Sequence, residues 1–134
     1  MAGWKVARLE DIPTTNDPSY WVEWAQDPGY GEKWRSIRPY FGISGFGVNA
    51  YEAGAGEELV VRHDEKDYGA QEELYFVARG RARFVCDGEE VEVGEGGLVY
   101  ASGEVMREAR ALETPTIVFM VGGVPGAFAP AENL

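Results

Sequence analysis

Phe84-Val-Cys-Asp87-Gly88-Glu-Glu-Val-Glu-Val93 reads as a strand, a two-residue Asp-Gly loop and a returning strand. A type I′ turn needs positive φ at both central residues, which Gly adopts freely and Asp tolerates. The loop length fixes the register: Cys86 faces Glu89, Phe84 faces Val91 and Ala82 faces Val93. Cross-strand partners share a side of the sheet. Ala82, Phe84, Val91 and Val93 therefore form one apolar face, and Arg83 stands opposite Glu92 on a face suited to solvent. One turn upstream, Arg79-Gly80 joins Glu73–Ala78 to Arg81–Cys86, setting Val77 opposite Ala82, Tyr75 opposite Phe84 and Glu73 opposite Cys86. Two separate turns thus assign the same apolar face.

That face contains one misfit, Glu73. A buried carboxylate costs several kcal/mol unless it is protonated, hydrogen-bonded or paired with a cation. Upstream, Leu59, Val61, His63 and Glu65 alternate with Val60, Arg62 and Asp64. If the apolar side of this strand turns inward, His63 and Glu65 go in with it, and an imidazole and two carboxylates converge on one wall. The alternative places Glu65 past the strand end in a solvated loop of residues 66–71, leaving His63 as an inner histidine without a site.

The whole chain bounds these readings. With 134 residues it suits one domain, and a chain of this size buries roughly two thirds of its unfolded surface, enough for a core without staples. The 18 Gly and 7 Pro punctuate short alternating runs after residue 40, the pattern of an all-β chain. Residues 1–40 differ: they hold Trp4, Trp21, Trp24 and Trp34, and they read as an irregular extension packing on the barrel or on a dimer partner. Within it, Ser19 to Gln26 fits either a short helix or an aromatic edge strand. Residues 41–125 read as the β domain and 126–134 as a tail. The net charge of −11 is concentrated after residue 40, where seven Lys/Arg meet seventeen Asp/Glu. Phosphate backbones and anionic bilayers require clustered positive charge, so no nucleic acid and no membrane surface is expected as partner. The longest apolar run, Ile117 to Val121, is far short of a bilayer span, and MAGWKVARLE lacks the apolar core of a secretion signal. A lone Cys86 fits a reducing, cytoplasmic setting, and one His with one Cys excludes a tetrahedral Cys/His zinc site.

The segments Gly56-Glu-Glu-Leu-Val-Val-Arg-His63-Asp-Glu65 and Glu73-Leu-Tyr-Phe-Val-Ala-Arg-Gly80 resemble the first motif of the cupins, small β-barrels: a Gly, His-x-His, a gap, then Glu-x6-Gly. His63 falls on the first His, Glu65 on the second, and Glu73 and Gly80 on the closing pair, with a lengthened gap. The second motif, Gly-x5-Pro-x-Gly-x2-His-x3-Asn, is eroded in Val93 to Arg107: Ala101 replaces Pro, and the His position falls on Met106 or, with a one-residue slip, on Arg107. The chain is thus similar to single-domain bacterial cupins with degenerate metal motifs. The resemblance implies a jelly-roll (double-stranded β-helix) barrel, a homodimer, and, in members with the full motif, a metal held by three His and one Glu.

Two site readings follow. In one, His63, Glu65 and Glu73 hold a divalent transition metal. In the other there is no cofactor, and Arg107, along the otherwise apolar row Val105, Ala109 and Ala111, supplies a permanent cation that pairs with Glu73 or Glu65. Met106 pointing inward as core filler, with Arg107 solvated, is the rival placement. The leading functional expectation is a small-molecule-binding barrel without the three-His metal site. His63, Glu73 and Arg107 orient the ligand there, while Tyr75, Phe84, Cys86, Tyr100 and Met106 supply walls. The alternatives are an enzyme and a dimeric scaffold with a filled barrel. The enzyme is either a metal-dependent oxygenase or isomerase using His63, Glu65 and Glu73, or an acid–base catalyst. In the acid–base case His63 is the base, oriented by Glu73, and Tyr75 or Tyr100 is the acid.

Overall fold

The computed structural model describes residues 3–14 and 34–129. The Ser19–Gln26 segment, Trp21 and Trp24 lie outside the described residues. The elements in chain order are β1 Trp34–Arg35, α1 Ile37–Phe41, β2 Gly47–Ala53, β3 Glu58–His63, β4 Glu72–Arg79, β5 Arg81–Cys86, β6 Glu89–Gly94, β7 Leu98–Ala101, β8 Arg107–Ala111 and β9 Thr116–Gly123. They form two antiparallel sheets, ordered β1-β2-β9-β4-β7 and β3-β8-β5-β6. This is the jelly-roll arrangement expected of an all-β chain. No helix among the described residues is long and apolar enough to cross a membrane.

The β5–β6 hairpin has the register its loop dictates, with Asp87 at φ 49° and Gly88 at φ 83°. Arg83 pairs with Glu92 at 3.4 Å on the outer face, joined by Arg81 at 3.1 Å. The Arg79-Gly80 turn behaves differently from its sequence reading. Strands β4 and β5 do not pair: β4 bonds β7 and β9, whereas β5 bonds β6 and β8. Gly80, at φ 78°, carries the chain around a corner from one sheet to the other, where a Cβ would sit 2.5 Å from the Thr116 hydroxyl. The apolar face survives because the two strands meet across the barrel instead of edge to edge. Tyr75 and Phe84, both fully buried, pack with ring centroids 5.5 Å apart, and burying one such side chain stabilises by about 1.5–3 kcal/mol. Val91 departs from expectation at 48 % exposed, since β6 is the sheet edge and overhangs the core. In β3 two register shifts put Leu59 and Val60 both inside, so Val60, not Val61, fills the core, while His63 still turns inward.

Cross-strand rows stack the interior in layers. Tyr51, Val118 and Val77 form the closed end; Asn49, Met120, Tyr75 and Val99 form the middle; Gly47, Gly122, Glu73 and Ala101 form the other end. Across the barrel from this last row, β3, β8 and β5 contribute His63, Arg107 and Cys86 side by side. Glycines and an alanine leave that end hollow. On the outer face of β2 and β9, Ile12 and Ile37 pack with Val48, Ala50 and Phe119. Trp34 sets its ring edge-on to Tyr51, whereas Trp4 is exposed.

Candidate functional site

At the hollow end, His63 Nδ1 lies 2.6 Å from the Val61 carbonyl, which can only accept, so this nitrogen carries a proton. Its Nε2 lies 3.2 Å from Glu65 Oε1 and 3.3 Å from Glu73 Oε1. Glu73 is 5 % exposed. The same Glu73 oxygen accepts the Tyr75 hydroxyl at 2.9 Å and faces Arg107 Nη2 at 3.7 Å. Arg107 is fully buried, and Nη2 donates to the Ser102 carbonyl at 3.0 Å and more weakly to that of Ala101. Its Nε and Nη1 have no hydrogen-bond partner among the described residues. Of the two placements open from sequence, Arg107 points inward. Met106 is half-buried at the barrel rim, where its backbone N–H donates to Asp87 Oδ1 at 2.9 Å.

Glu65 does lie past the end of β3, as the solvated-loop alternative supposed, yet the loop returns it to His63. Glu65 N–H donates to the Gly103 carbonyl at 2.9 Å, and the Tyr68 and Ala70 amides both donate to the Glu65 carbonyl at 3.0 Å. The loop rests directly on Gly103, where a Cβ would fall 2.4 Å from the Ala70 backbone. A glycine there is a condition for Glu65 being in place.

Burial alone pushes the His63 pKa down; hydrogen bonds to Glu65, Glu73 and the Val61 carbonyl outweigh it and raise the value to about 9. Burial likewise pushes Glu73 up, and His63, Tyr75 and the Arg107 charge together hold it below the ordinary carboxylate range. The two shifts agree in sense, as an ion pair requires. At neutral pH the cluster therefore holds two cations and two anions. A folded-state pKa above the unfolded 6.5 adds stability that is complete below pH 6.5 and disappears as pH rises through about 9. Melting temperature should accordingly fall across that alkaline window. His63→Gln should flatten this limb, which differential scanning calorimetry at stepped pH would reveal.

The cluster floors a cavity of about 360 Å³, whose walls include Trp34, Asn49, Tyr68 and Gln71. His63, Glu65 and Glu73 line it; the other candidate residues do not. Tyr75 and Phe84 are core beneath it, and burial pushes the Tyr75 hydroxyl well above its usual range. Cys86 is half-buried beside Arg107, its thiol pushed up by burial with the guanidinium pulling the other way. Tyr100 is 61 % exposed on the outer face of β7 and donates to Glu72 at 3.0 Å, so neither a pocket wall nor an inner acid stands there. Asn49 and Gln71 were missed from sequence, although period two signals both: Gln71 precedes Glu73 by two, and Asn49 precedes Tyr51 by two.

The three donors lie within 4.8 Å of one another, a spacing that would admit a metal ion. Charge argues against one. Any ion on Glu73 Oε1 would share that oxygen with a hydroxyl at 2.9 Å and a permanent guanidinium at 3.7 Å. The chain also supplies one imidazole in place of three. The residues present do not fit the usual cupin metal.

The chain superposes on a cupin protein from Bacteroides fragilis with a TM-score of 0.70 at 16 % identity, covering 99 % of this chain and 94 % of that one. A cupin superfamily protein from Desulfitobacterium hafniense matches 59 % of this chain and 67 % of its own, with a TM-score of 0.52 at 9 % identity. A putative sugar phosphate isomerase from Acidithiobacillus ferrooxidans matches 66 % and 56 %, with a TM-score of 0.55 at 13 % identity. At such identities the likeness is one of fold: this protein has the cupin fold. No family model and no curated protein matches the sequence.

Proposed function

We propose that this protein binds a small, uncharged, hydrogen-bonding molecule in the mouth of its barrel and does so without a metal, Arg107 serving as the resident cation. The observation that carries this reading is a charge-balanced quartet: His63, Glu65 and Glu73 line the 360 Å³ cavity, and the buried Arg107 faces Glu73 from behind at 3.7 Å. A ligand bearing net charge would unbalance that quartet in a poorly solvated site. A hydroxylated or amide ligand instead meets the Glu65 carboxylate and the amides of Asn49 and Gln71, with Trp34 and Tyr68 for its apolar faces. Two features favour binding over acid–base turnover. At neutral pH His63 already holds its proton and is a poor base, and Tyr75, the candidate acid, is sealed in the core. The hollow end disfavours the filled-barrel scaffold. A cytoplasmic homodimer completes the reading: the single thiol of Cys86 fits a reducing compartment, and the edge strand β7, with Leu98 and Tyr100 exposed on it, is open to a second copy.

Elemental analysis of protein purified without chelators should find far less than one transition metal per chain. One equivalent, lost in His63→Ala, would overturn the metal-free reading. In a thermal-shift screen, neutral polyols or amides should raise the melting temperature of the wild type and leave Glu65→Gln unmoved. A screen in which only anions or only cations stabilise would refute the ligand class.

A further inference from the structure

A glycine in a strand adds no side chain to the wall it belongs to, and such positions let a ligand come close to the backbone. At the hollow end of the barrel β9 finishes on Gly122 and Gly123, which the register sets beside Glu73 and Glu72. Two cavities meet there. The 360 Å³ pocket has Gly47 and Glu73 on its wall. A groove of about 650 Å³ shares Glu73, takes in Gly122 and Gly123, and is walled beyond them by Phe46, Leu74, Val121, Val124 and Phe128. These five side chains are 43–74 % exposed. Val124 stands at the boundary: a Cβ on Gly69, in the loop that carries Glu65, Tyr68 and Gln71, would fall 3.2 Å from its Cγ2. The carboxylates at the junction are engaged away from the groove. Glu73 turns Oε1 to His63, Tyr75 and Arg107, and its Cγ methylene flanks Gly122, where a Cβ would lie 3.1 Å from it. Glu72 accepts the Tyr100 hydroxyl at 3.0 Å.

We infer that the ligand of this pocket is amphipathic: its uncharged polar head lies among Glu65, Asn49 and Gln71, and a single apolar chain crosses Gly122 and Gly123 into the groove. The inference rests on the binding reading given above and names the class of molecule bound. Continuity selects this occupant first, because the groove opens on the same carboxylate that closes the pocket, so one molecule can lie in both. Composition selects it second. Both carboxylates on the groove wall and the Tyr100 hydroxyl are already hydrogen-bonded within the protein, which leaves apolar surface taken from water as the driving force. A contiguous apolar surface of this kind on a soluble domain marks a binding groove.

Calorimetric titration of the full chain with alkyl glucosides from methyl to octyl, and with N-alkyl acetamides over the same lengths, all below micelle formation, tests the inference. Affinity should rise along a series by up to about fourfold per methylene, the gain for full burial, until the groove is filled. Gly123→Leu puts a side chain where a Cβ meets nothing within 4 Å, so the fold accommodates it while the path of the chain is blocked. In that variant the octyl members should fall back to the affinity of the methyl ones. Glu65→Gln should weaken every member alike, and Val6→Glu, exposed elsewhere, should keep the full rise. Methyl members that bind with less than about a tenfold gain at octyl, as when a second copy covers the groove, would overturn the inference and leave the pocket reading standing. A rise that persists in Gly123→Leu, or octyl binding indifferent to Glu65→Gln, would overturn it too, since the chain then lies elsewhere or binds without the pocket. No binding by any member would overturn both readings.

Discussion

Glu73→Gln should lower the unfolding free energy by about 3–5 kcal/mol, the range observed when one partner of a buried ion pair is removed. For a domain of this size that corresponds to a drop in melting temperature of about 10–20 °C. Volume scarcely changes, so the loss is electrostatic. Arg107 has no exposure, and its Nε and Nη1 have no partner among the described residues; without the facing carboxylate its charge is left, among those residues, to two backbone carbonyls. His63 loses one of two anions and should titrate nearer its ordinary range. Glu65→Gln removes the anion farther from Arg107 and should cost less, about 1–2 kcal/mol. The decisive control is the double substitution Glu73→Gln with Arg107→Met. Replacing both charged groups of a buried pair is often neutral, so the double variant should regain most of what Glu73→Gln lost. Urea titrations at neutral pH measure all three. A cost below about 1 kcal/mol for Glu73→Gln, or a double variant weaker than the single, would mean that Arg107 does not depend on Glu73.

The same carboxylate shows how much of the site could be read before the fold was seen. A two-residue Asp-Gly loop leaves one register, so the sides of β5 and β6 followed from residue identity alone. Glu73 then stood out because it shares a side with Tyr75 and Val77, and buried charge has few physical explanations. The eroded second motif narrowed the inward-facing position opposite it to Met106 or Arg107, and the apolar row of Ala109 and Ala111 pointed to the arginine. What stayed hidden was long-range. A Gly turn looks alike whether it closes a hairpin or turns a barrel corner; here Gly80 is pinned by Thr116, which lies beyond any local pattern. Tyr100 faces out because β7 sets Ala101 beside Glu73 and Val99 beside Tyr75, a register that no local turn reveals. Glu65 reached the site through a loop whose path depends on Gly103, about forty residues away along the chain.

Arg107→His should convert this pocket into a metal site. Position 107 lies between His63 and Cys86 in adjacent strands and faces Glu73. An imidazole there would add a nitrogen donor to His63, Glu65 and Glu73 while deleting the fixed charge that opposes a cation. A dication about 5 Å from a guanidinium is repelled by about 7 kcal/mol at an effective dielectric near 20. Removing it should therefore strengthen binding of Zn²⁺ or Ni²⁺ by about a thousandfold or more. Two further variants separate charge from ligation: Arg107→Lys keeps the cation and should bind no better than wild type, whereas Arg107→Met removes it without adding a donor and should fall between. Binding to Arg107→His should strengthen with rising pH, because His63 must surrender the Nε2 proton it shares with Glu65 and Glu73 before it can ligate. Calorimetric titration with each metal, with the metal-dependent rise in melting temperature as a second readout, distinguishes the outcomes. If wild type and Arg107→Lys bind as tightly as Arg107→His, the guanidinium is not what keeps metal out, and the metal-free reading of the pocket falls with it.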